Sequence, residues 1–261
     1  MLTVLVAVAG ASGTLGRATV EVAQEAGHEV RRIARRFGVD VMTGEGVSEA
    51  LAGVDVVVEC LKPPSLDPDV ATDWFVTAAQ RLGAAARAAG VERTVVVSIV
   101  GIDRMQDYGY YRAQLAHERT SLMHCPGTVI VRSTQFHDFV GNMLRPDGDG
   151  LAIIDVASQP VDTRVVAEVL LEQATTAGPE PLVQIAGPLV ENTVDQARRL
   201  LVARGQTAVV RGVPASPSMM QGFMVPGPDV PARGPTYDQW LGRNTSPPPC
   251  APLLDRDERT L

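Results

Sequence analysis

The 261-residue sequence predicts an α/β chain on a doubly wound parallel sheet, with a smaller C-terminal region covering one end. Three observations predict it. Short β-branched runs alternate with Ala-rich amphipathic stretches through the first half, the rhythm of repeated βα units whose strands are buried on both faces. A glycine loop follows the first run directly and opens into a helical stretch. The composition, 45% hydrophobic and only 4% aromatic, suits one large core.

The strand runs are Thr3–Val8, Glu29–Ala34, Val54–Glu59, Arg93–Ser98 and Thr128–Arg132, and Val41–Gly46 adds a further short strand. On that count Val54–Glu59 is the fourth strand. Helices are predicted over Thr14–Ala26, Asp69–Ala89 and Tyr110–His124, with Gly27 and Gly90 as left-handed caps and a helical turn at Ser48–Leu51. Beyond residue 132, Asp162 is the expected N-cap of a helix over Thr163–Thr176, and Leu182–Ile185 reads as a strand. Asn192 or Thr193 caps a helix running to Ala203. Ten of the 19 prolines lie between Pro214 and Pro252, so an irregular cover is expected over residues 212–242 and a disordered tail over 245–261.

Charge narrows the function classes. Against 30 acidic residues stand 23 basic ones, a net charge of −7, which argues against a nucleic-acid partner. Of those 23, Lys62 is the only lysine, so any mechanism that needs a lysine has one candidate. Cys60, Cys125 and Cys250 form no CxxC pair, which points to a reducing compartment without disulfides or a thiolate metal site. The apolar start Met1–Ala9 lacks a basic leader and runs into the glycine loop, and no window approaches the ~20 apolar residues of a membrane span. A cytoplasmic chain without membrane contact is expected. HExxH, GxSxG and GxxxxGK[ST] motifs are absent.

The loop itself is Gly10-Ala11-Ser12-Gly13-Thr14-Leu15-Gly16. Glycines at this spacing turn the backbone sharply and let it approach a pyrophosphate, while the helix start offers free N–H groups and partial positive charge. Between a strand and a helix, at the head of a βα series, this reads as a dinucleotide site. Residues 1–132 are then the dinucleotide-binding core, and residues 133–244 a mixed region completing the same fold over the substrate. A ribose-binding acid is expected about 20 residues past the loop, yet positions 30–36 read Val-Arg-Arg-Ile-Ala-Arg-Arg. Guanidiniums suit a 2′-phosphate through bidentate hydrogen bonds. NADP(H) is therefore expected over NAD(H), carried chiefly by Arg35 with Arg36, and Arg31 or Arg17 nearby; the alternative is a solvated basic turn.

Five stretches in one order carry a family resemblance: Gly10–Gly16, the basic strand end, Ser98–Asp103, Tyr110–Glu118 and Arg132–Phe139. Together, over residues 3–242, the chain resembles the NmrA-like atypical short-chain dehydrogenase/reductases. The resemblance implies a Rossmann-type sheet, NADP(H), and a cleft built from strand ends and C-terminal segments. It implies either a reductase of apolar carbonyl, quinone or conjugated substrates, or a redox sensor that binds the dinucleotide and acts through a protein partner or a second copy.

Reductases of this type use a tyrosine acid with a lysine four residues on, both on one helix face. Tyr110 stands at the tyrosine position, and Gln114 at the lysine position. Glutamine can bond a ribose hydroxyl but cannot stabilise a phenolate by charge. Ser98 could donate to a substrate oxygen or simply cap its strand. His137, beside Asp138, could orient an oxygen or belong to a helix-surface pair. Lys62 stands where it could supply a charge to cofactor or substrate, or be a solvated loop residue; Cys60 beside it reads as a small buried residue rather than a nucleophile. His117 and His124 read as a solvated helix face. Met219–Met224 could line a lid or pack in the core.

Overall fold

The computed structural model describes residues 3–244. The chain runs β1 (Leu5–Ala9), α1 (Thr14–Glu25), β2 (Glu29–Ile33), α2 (Val47–Leu51), β3 (Val56–Glu59), α3 (Pro68–Ala88), β4 (Arg93–Ile99), α4 (Gly109–His124) and β5 (Val129–Ser133). It continues through α5 (Phe139–Met143), β6 (Arg145–Asp147), β7 (Gly150–Ile154), β8 (Ala157–Ser158), α6 (Thr163–Thr175), β9 (Leu182–Ile185) and β10 (Glu191–Asn192). It closes with α7 (Thr193–Ala203), β11 (Val210–Val213), α8 (Pro217–Met220) and α9 (Tyr237–Asn244).

The central sheet has the order β2-β1-β3-β4-β5-β9, with every pair parallel. Its valines are buried on both faces, as a doubly covered parallel sheet requires. Val6, Val8, Val56 and Val58 pack toward α1 and α6, while Ala7, Ala9 and Val57 pack toward α2 and α3. The order reverses direction between β1 and β3, and the crevice above their carboxyl ends is where doubly wound folds take ligands.

Caps set the helix starts. Asp67 Oδ1 accepts from the N–H groups of Asp69 and Val70 at 3.1 Å, with Pro68 in the first turn of α3. Asp162 caps α6 through the Arg164 N–H at 2.9 Å, and Asn192 caps α7 through Val194 at 2.9 Å.

Three expectations need correction. Val41–Gly46 is a series of turns around Gly44 and Gly46, so Val56–Glu59 is the third strand of the chain. The segment after residue 132 carries a second sheet, β11-β7-β6, that sparse turn residues concealed. Residues 212–242, expected as irregular cover, include α8 and most of α9, whose Tyr237 and Leu241 are buried with Leu200 of α7. The tail expected over 245–261 lies outside the described residues. Among the described residues no helix is long and apolar enough to cross a membrane.

Candidate active site

The glycine loop sits at the reversal point of the sheet. The N–H groups of Gly10 and Ala11 both bond the Ile33 carbonyl, at 2.9 and 3.3 Å, which ties the loop to the end of β2. A Cβ on Gly16 would overlap the Gly10 carbonyl oxygen, so glycine there is what lets α1 begin this close to β1. Where α3, α6 and α7 are capped by side-chain oxygens, α1 starts at Gly13 with no side-chain cap. Among the described residues the N–H groups of Thr14, Leu15 and Gly16 have no acceptor, the arrangement a helix start offers to an anion. Ser12 contributes its carbonyl, which accepts from Arg17 Nη1 at 2.8 Å and so braces the loop.

Beside the loop, Arg35 and Arg36 lie in a single helical turn after β2. The Arg36 guanidinium stands 4.9 Å over the Phe37 ring, and Arg32 stands 5.8 Å from it. Arg31, Arg32, Arg35 and Arg36 are exposed, and among the described residues none of them is ion-paired.

Across the crevice the structure brings Tyr110 and Gln114 together on α4 but points them differently. Tyr110 is half-buried among Phe75, Tyr108 and Tyr111, with ring centroids 6.2 to 6.4 Å away. Burial, then the neighbouring Tyr108 phenol, pushes its pKa up to about 12. Gln114 is buried; its Nε2 donates to the Val97 carbonyl at 3.2 Å and stands 3.2 Å from His117 Nδ1. A carbonyl can only accept, so the amide nitrogen must face Val97, and its second hydrogen makes Nδ1 an acceptor. In the neutral ring the proton then sits on Nε2, which reaches Glu59 Oε1 at 2.6 Å.

This corrects the expectation of a solvated histidine face. His117 is 1% exposed, and its ring stacks on Phe75 at 4.5 Å with an interplanar angle of 21°. His124, seven residues on, is partly exposed and stands apart from it. Glu59, His117 and Phe75 escaped the sequence reading. Two signals were present: a lone carboxylate ending a valine strand, and positions 110, 114 and 117 on one helix face.

The remaining candidates divide. Ser98 is buried near the end of β4, and its Oγ has no partner among the described residues. The His137 side chain turns inward: Nε2 lies 3.2 Å from the Pro235 carbonyl and the ring packs 5.5 Å from both Tyr237 and Trp240. Burial pulls its pKa down. Cys60 presents its thiol to Thr19 Oγ1 at 3.6 Å, away from solvent, and burial pushes that thiol up to about 12. Exposed Lys62 faces half-buried Asp138, whose carboxyl is raised by burial and lowered in part by the ammonium.

A roof covers the Tyr110 side. Met219 and Met224 are buried with Ile102, Met105, Tyr111 and Val156, while Met220 points to solvent. A Cβ on Gly101, at φ +71°, would overlap the Phe223 carbonyl oxygen, so the roof backbone descends onto that glycine. Asp107 latches it, accepting from the Ser218 N–H at 2.9 Å, the Ser216 hydroxyl at 3.2 Å and the Ser218 hydroxyl. Two concavities, about 240 Å³ beside Arg104 and Arg132 and about 620 Å³ beside Arg198 and Val209, lie away from both the loop and Tyr110.

Residues 10–121 match the family model of NAD(P)H-binding domains. No curated protein matches the sequence. Among solved structures, a short-chain dehydrogenase/reductase superfamily protein from Agrobacterium tumefaciens with bound NAD is similar at 19% identity and TM-score 0.66, covering 92% of this chain and 95% of that one. A dTDP-4-dehydrorhamnose reductase from Bacillus anthracis in complex with NADP is similar at 14% identity and TM-score 0.67, covering 93% and 98%. An NADPH-dependent quinone oxidoreductase from Escherichia coli complexed with NADPH is similar at 15% and 0.62, covering 91% and 99%. At these identities the likeness is one of fold. Residues 10–121 thus resemble NAD(P)H-binding domains, and the chain shares the Rossmann-type fold of these solved short-chain dehydrogenase/reductase proteins.

Proposed function

We propose that the chain is an NADP(H)-dependent reductase of an apolar carbonyl, quinone or conjugated acceptor, of the NmrA-like kind its motifs resemble. The observation that carries the reading is the state of Tyr110. Its phenol is held protonated, its pKa pushed up to about 12 by burial, at the edge of a Met- and Tyr-rich apolar cluster. A protonated phenol can give a proton to an acceptor oxygen, but it is a poor base for drawing one from an alcohol. The arrangement therefore favours reduction over oxidation.

The cofactor, when bound, supplies the hydride. The chain's own residues do the rest: Thr14, Leu15 and Gly16 offer N–H groups to the pyrophosphate, and Arg35 with Arg36 pairs with the 2′-phosphate. Tyr110 donates a proton to the acceptor oxygen and is reprotonated from water. An electron-poor acceptor suits a site without a lysine beside the tyrosine, because it needs less help from a strong acid.

A second reading has its own support. Gln114 is closed into a buried network, so no cation from that position reaches the Tyr110 phenol. That fits an NADP(H)-binding sensor acting through a partner protein or a second copy. Following NADPH oxidation over a panel of quinones, enones and ketones separates the two. The reductase reading expects turnover by the wild type and about a 100-fold loss in Tyr110→Phe. Tight NADP⁺ binding with no turnover above buffer, and a cofactor-dependent change in oligomeric state, would favour the sensor.

A further inference from the structure

Asp107 fastens the roof at Ser216 and Ser218, but the far end of the roof is held differently. Among the described residues no hydrogen bond joins residues 223–230 to the central sheet. Met224 packs in the apolar cluster, the Phe223 carbonyl lies against Gly101, and the Arg104 guanidinium stands 4.4 Å over the Phe223 ring. Beside these contacts roof and floor part, leaving a cavity of about 240 Å³.

Its walls come from distant parts of the chain. Arg104 lies on the single turn after β4, Arg132 on β5, Gln184 on β9, and Pro226 with Gly227 in the roof. Arg132 pairs with Gln184 in the parallel register of β5 and β9, so both side chains emerge on one face of the sheet. Arg132 is already balanced. Its Nε and Nη2 donate to the two carboxyl oxygens of buried Glu118 at 2.9 and 2.8 Å, and its Nη1 donates to Asp103 Oδ1 at 3.1 Å. Arg104 is not: it is exposed, and among the described residues its guanidinium has neither an ion pair nor a hydrogen-bond acceptor. The half-buried Gln184 amide likewise makes no hydrogen bond among the described residues.

We propose that this cavity binds a small organic monocarboxylate, and that the bound acid fastens the far end of the roof to the sheet. Side-chain N–H groups outnumber side-chain acceptors on its walls, so the complement is an oxyanion, and a carboxylate matches the planar guanidinium fork. The wall also sets the charge. Arg104 supplies one uncompensated positive charge, while the exposed Asp103 carboxylate on the rim repels a second negative one. A volume of about 240 Å³ lies below the ~300–1,000 Å³ of sites for drug-sized ligands, which suits an acid of a few carbons. Because the cavity lies away from Tyr110 and the glycine loop, the proposal stands whether the chain is a reductase or a sensor.

Propionate is the probe, titrated into the full chain against chloride at constant ionic strength. Tm is expected to rise saturably, as a ligand that binds only the folded chain requires. Amide exchange over residues 222–227 is expected to slow by about threefold or more at saturation, and by more than elsewhere in the chain. Arg104→Leu keeps an apolar stem on Phe223 and removes the charge, and should weaken propionate by about tenfold or more. Arg104→Lys keeps the charge without the fork and should fall between. Malonate, a second carboxylate on the same three-carbon chain, should bind wild type about tenfold more weakly than propionate, and Asp103→Asn should narrow that gap.

No saturable rise beyond chloride, an equal rise in Arg104→Leu, malonate binding as tightly as propionate, or slowing no greater over residues 222–227 than elsewhere would each overturn the proposal. Should Arg104→Leu itself lower Tm by loosening the roof, Gln184→Leu reads the opposite wall with the Arg104 contact intact. Weaker propionate there supports the site, and unchanged affinity overturns it.

Discussion

On the β1–β2 side of the cleft, Arg31, Arg32, Arg35 and Arg36 are exposed and, among the described residues, form no ion pair, and the first N–H groups of α1 have no acceptor there. On the β3–β4–α4 side, one carboxyl oxygen of Glu59, the His117 imidazole and the Gln114 amide nitrogen bond in series out of solvent. The first side leaves its positive charge and its N–H donors open. The second is electrostatically closed, so Tyr110 stands beside it without a cation to lower its pKa. The difference teaches that one cleft can leave its charge open at one wall while internalising it at the other.

The largest effect should come from opening the closed side. Glu59 is fully buried, and His117 is the only partner of its carboxylate among the described residues. His117→Leu leaves that carboxylate uncompensated, and the expected cost is about 3 kcal/mol of unfolding free energy. His117→Gln retains an N–H donor and is expected to cost about 1 kcal/mol. Urea unfolding midpoints read both. Equal, small losses would mean the network carries no charge to compensate, and the contrast between the two sides would collapse.

The open side is tested next. Removing Arg35 and Arg36 together by alanine is expected to weaken NADPH binding by about tenfold per lost charge-assisted contact, with NADH binding unchanged. Cofactor titration measures it. A parallel loss for both cofactors would make the turn a general anion patch, and no loss would make it a solvated turn.

These two sides also differ in how far the sequence disclosed them. The glycine loop and the arginine turn are local: seven consecutive residues and one strand end define them, so spacing alone suffices. The caps at Asp162 and Asn192 were legible for the same reason. The Glu59–His117–Gln114 network joins a strand end to a helix 58 residues away, and only the packing of α3 against α4, with Phe75 between, brings its members together. The β6–β7 hairpin escaped because its strands are short and Gly148 turns it without an apolar alternation to mark it. The inward turn of His137 was unreadable because α9, which cages it, lay in a proline-rich stretch.

Gln114→Lys sharpens the comparison at smaller scale. The new ammonium would replace an amide held between the Val97 carbonyl and His117, with Glu59 just beyond. Its attraction to that carboxylate draws it away from Tyr110, so no gain in NADPH oxidation is expected. A tenfold gain would show that position 114 opens to the cleft after all, and that the closed side is closed only because glutamine is there.

The smallest effect concerns the roof. The Ser218 hydroxyl, then the Ser218 N–H, hold the Asp107 carboxyl below the ordinary aspartate range. A folded value below the unfolded one means the latch contributes fully above the unfolded aspartate pKa, about 4, and loses its contribution as pH falls through the folded value. At neutral pH the latch is therefore complete, and acid loosens it. Amide hydrogen exchange over residues 218–224 reads this directly. In Asp107→Ala exchange there is expected to be roughly fivefold faster at pH 7, the size of one lost hydrogen bond. The variant should lose the acid-dependent part of that difference, because it has no carboxylate left to protonate. If wild type and variant instead respond to acid alike, the roof is held by Met219 and Met224 packing alone, and the Tyr110 side is closed by apolar contact as well as by its buried network.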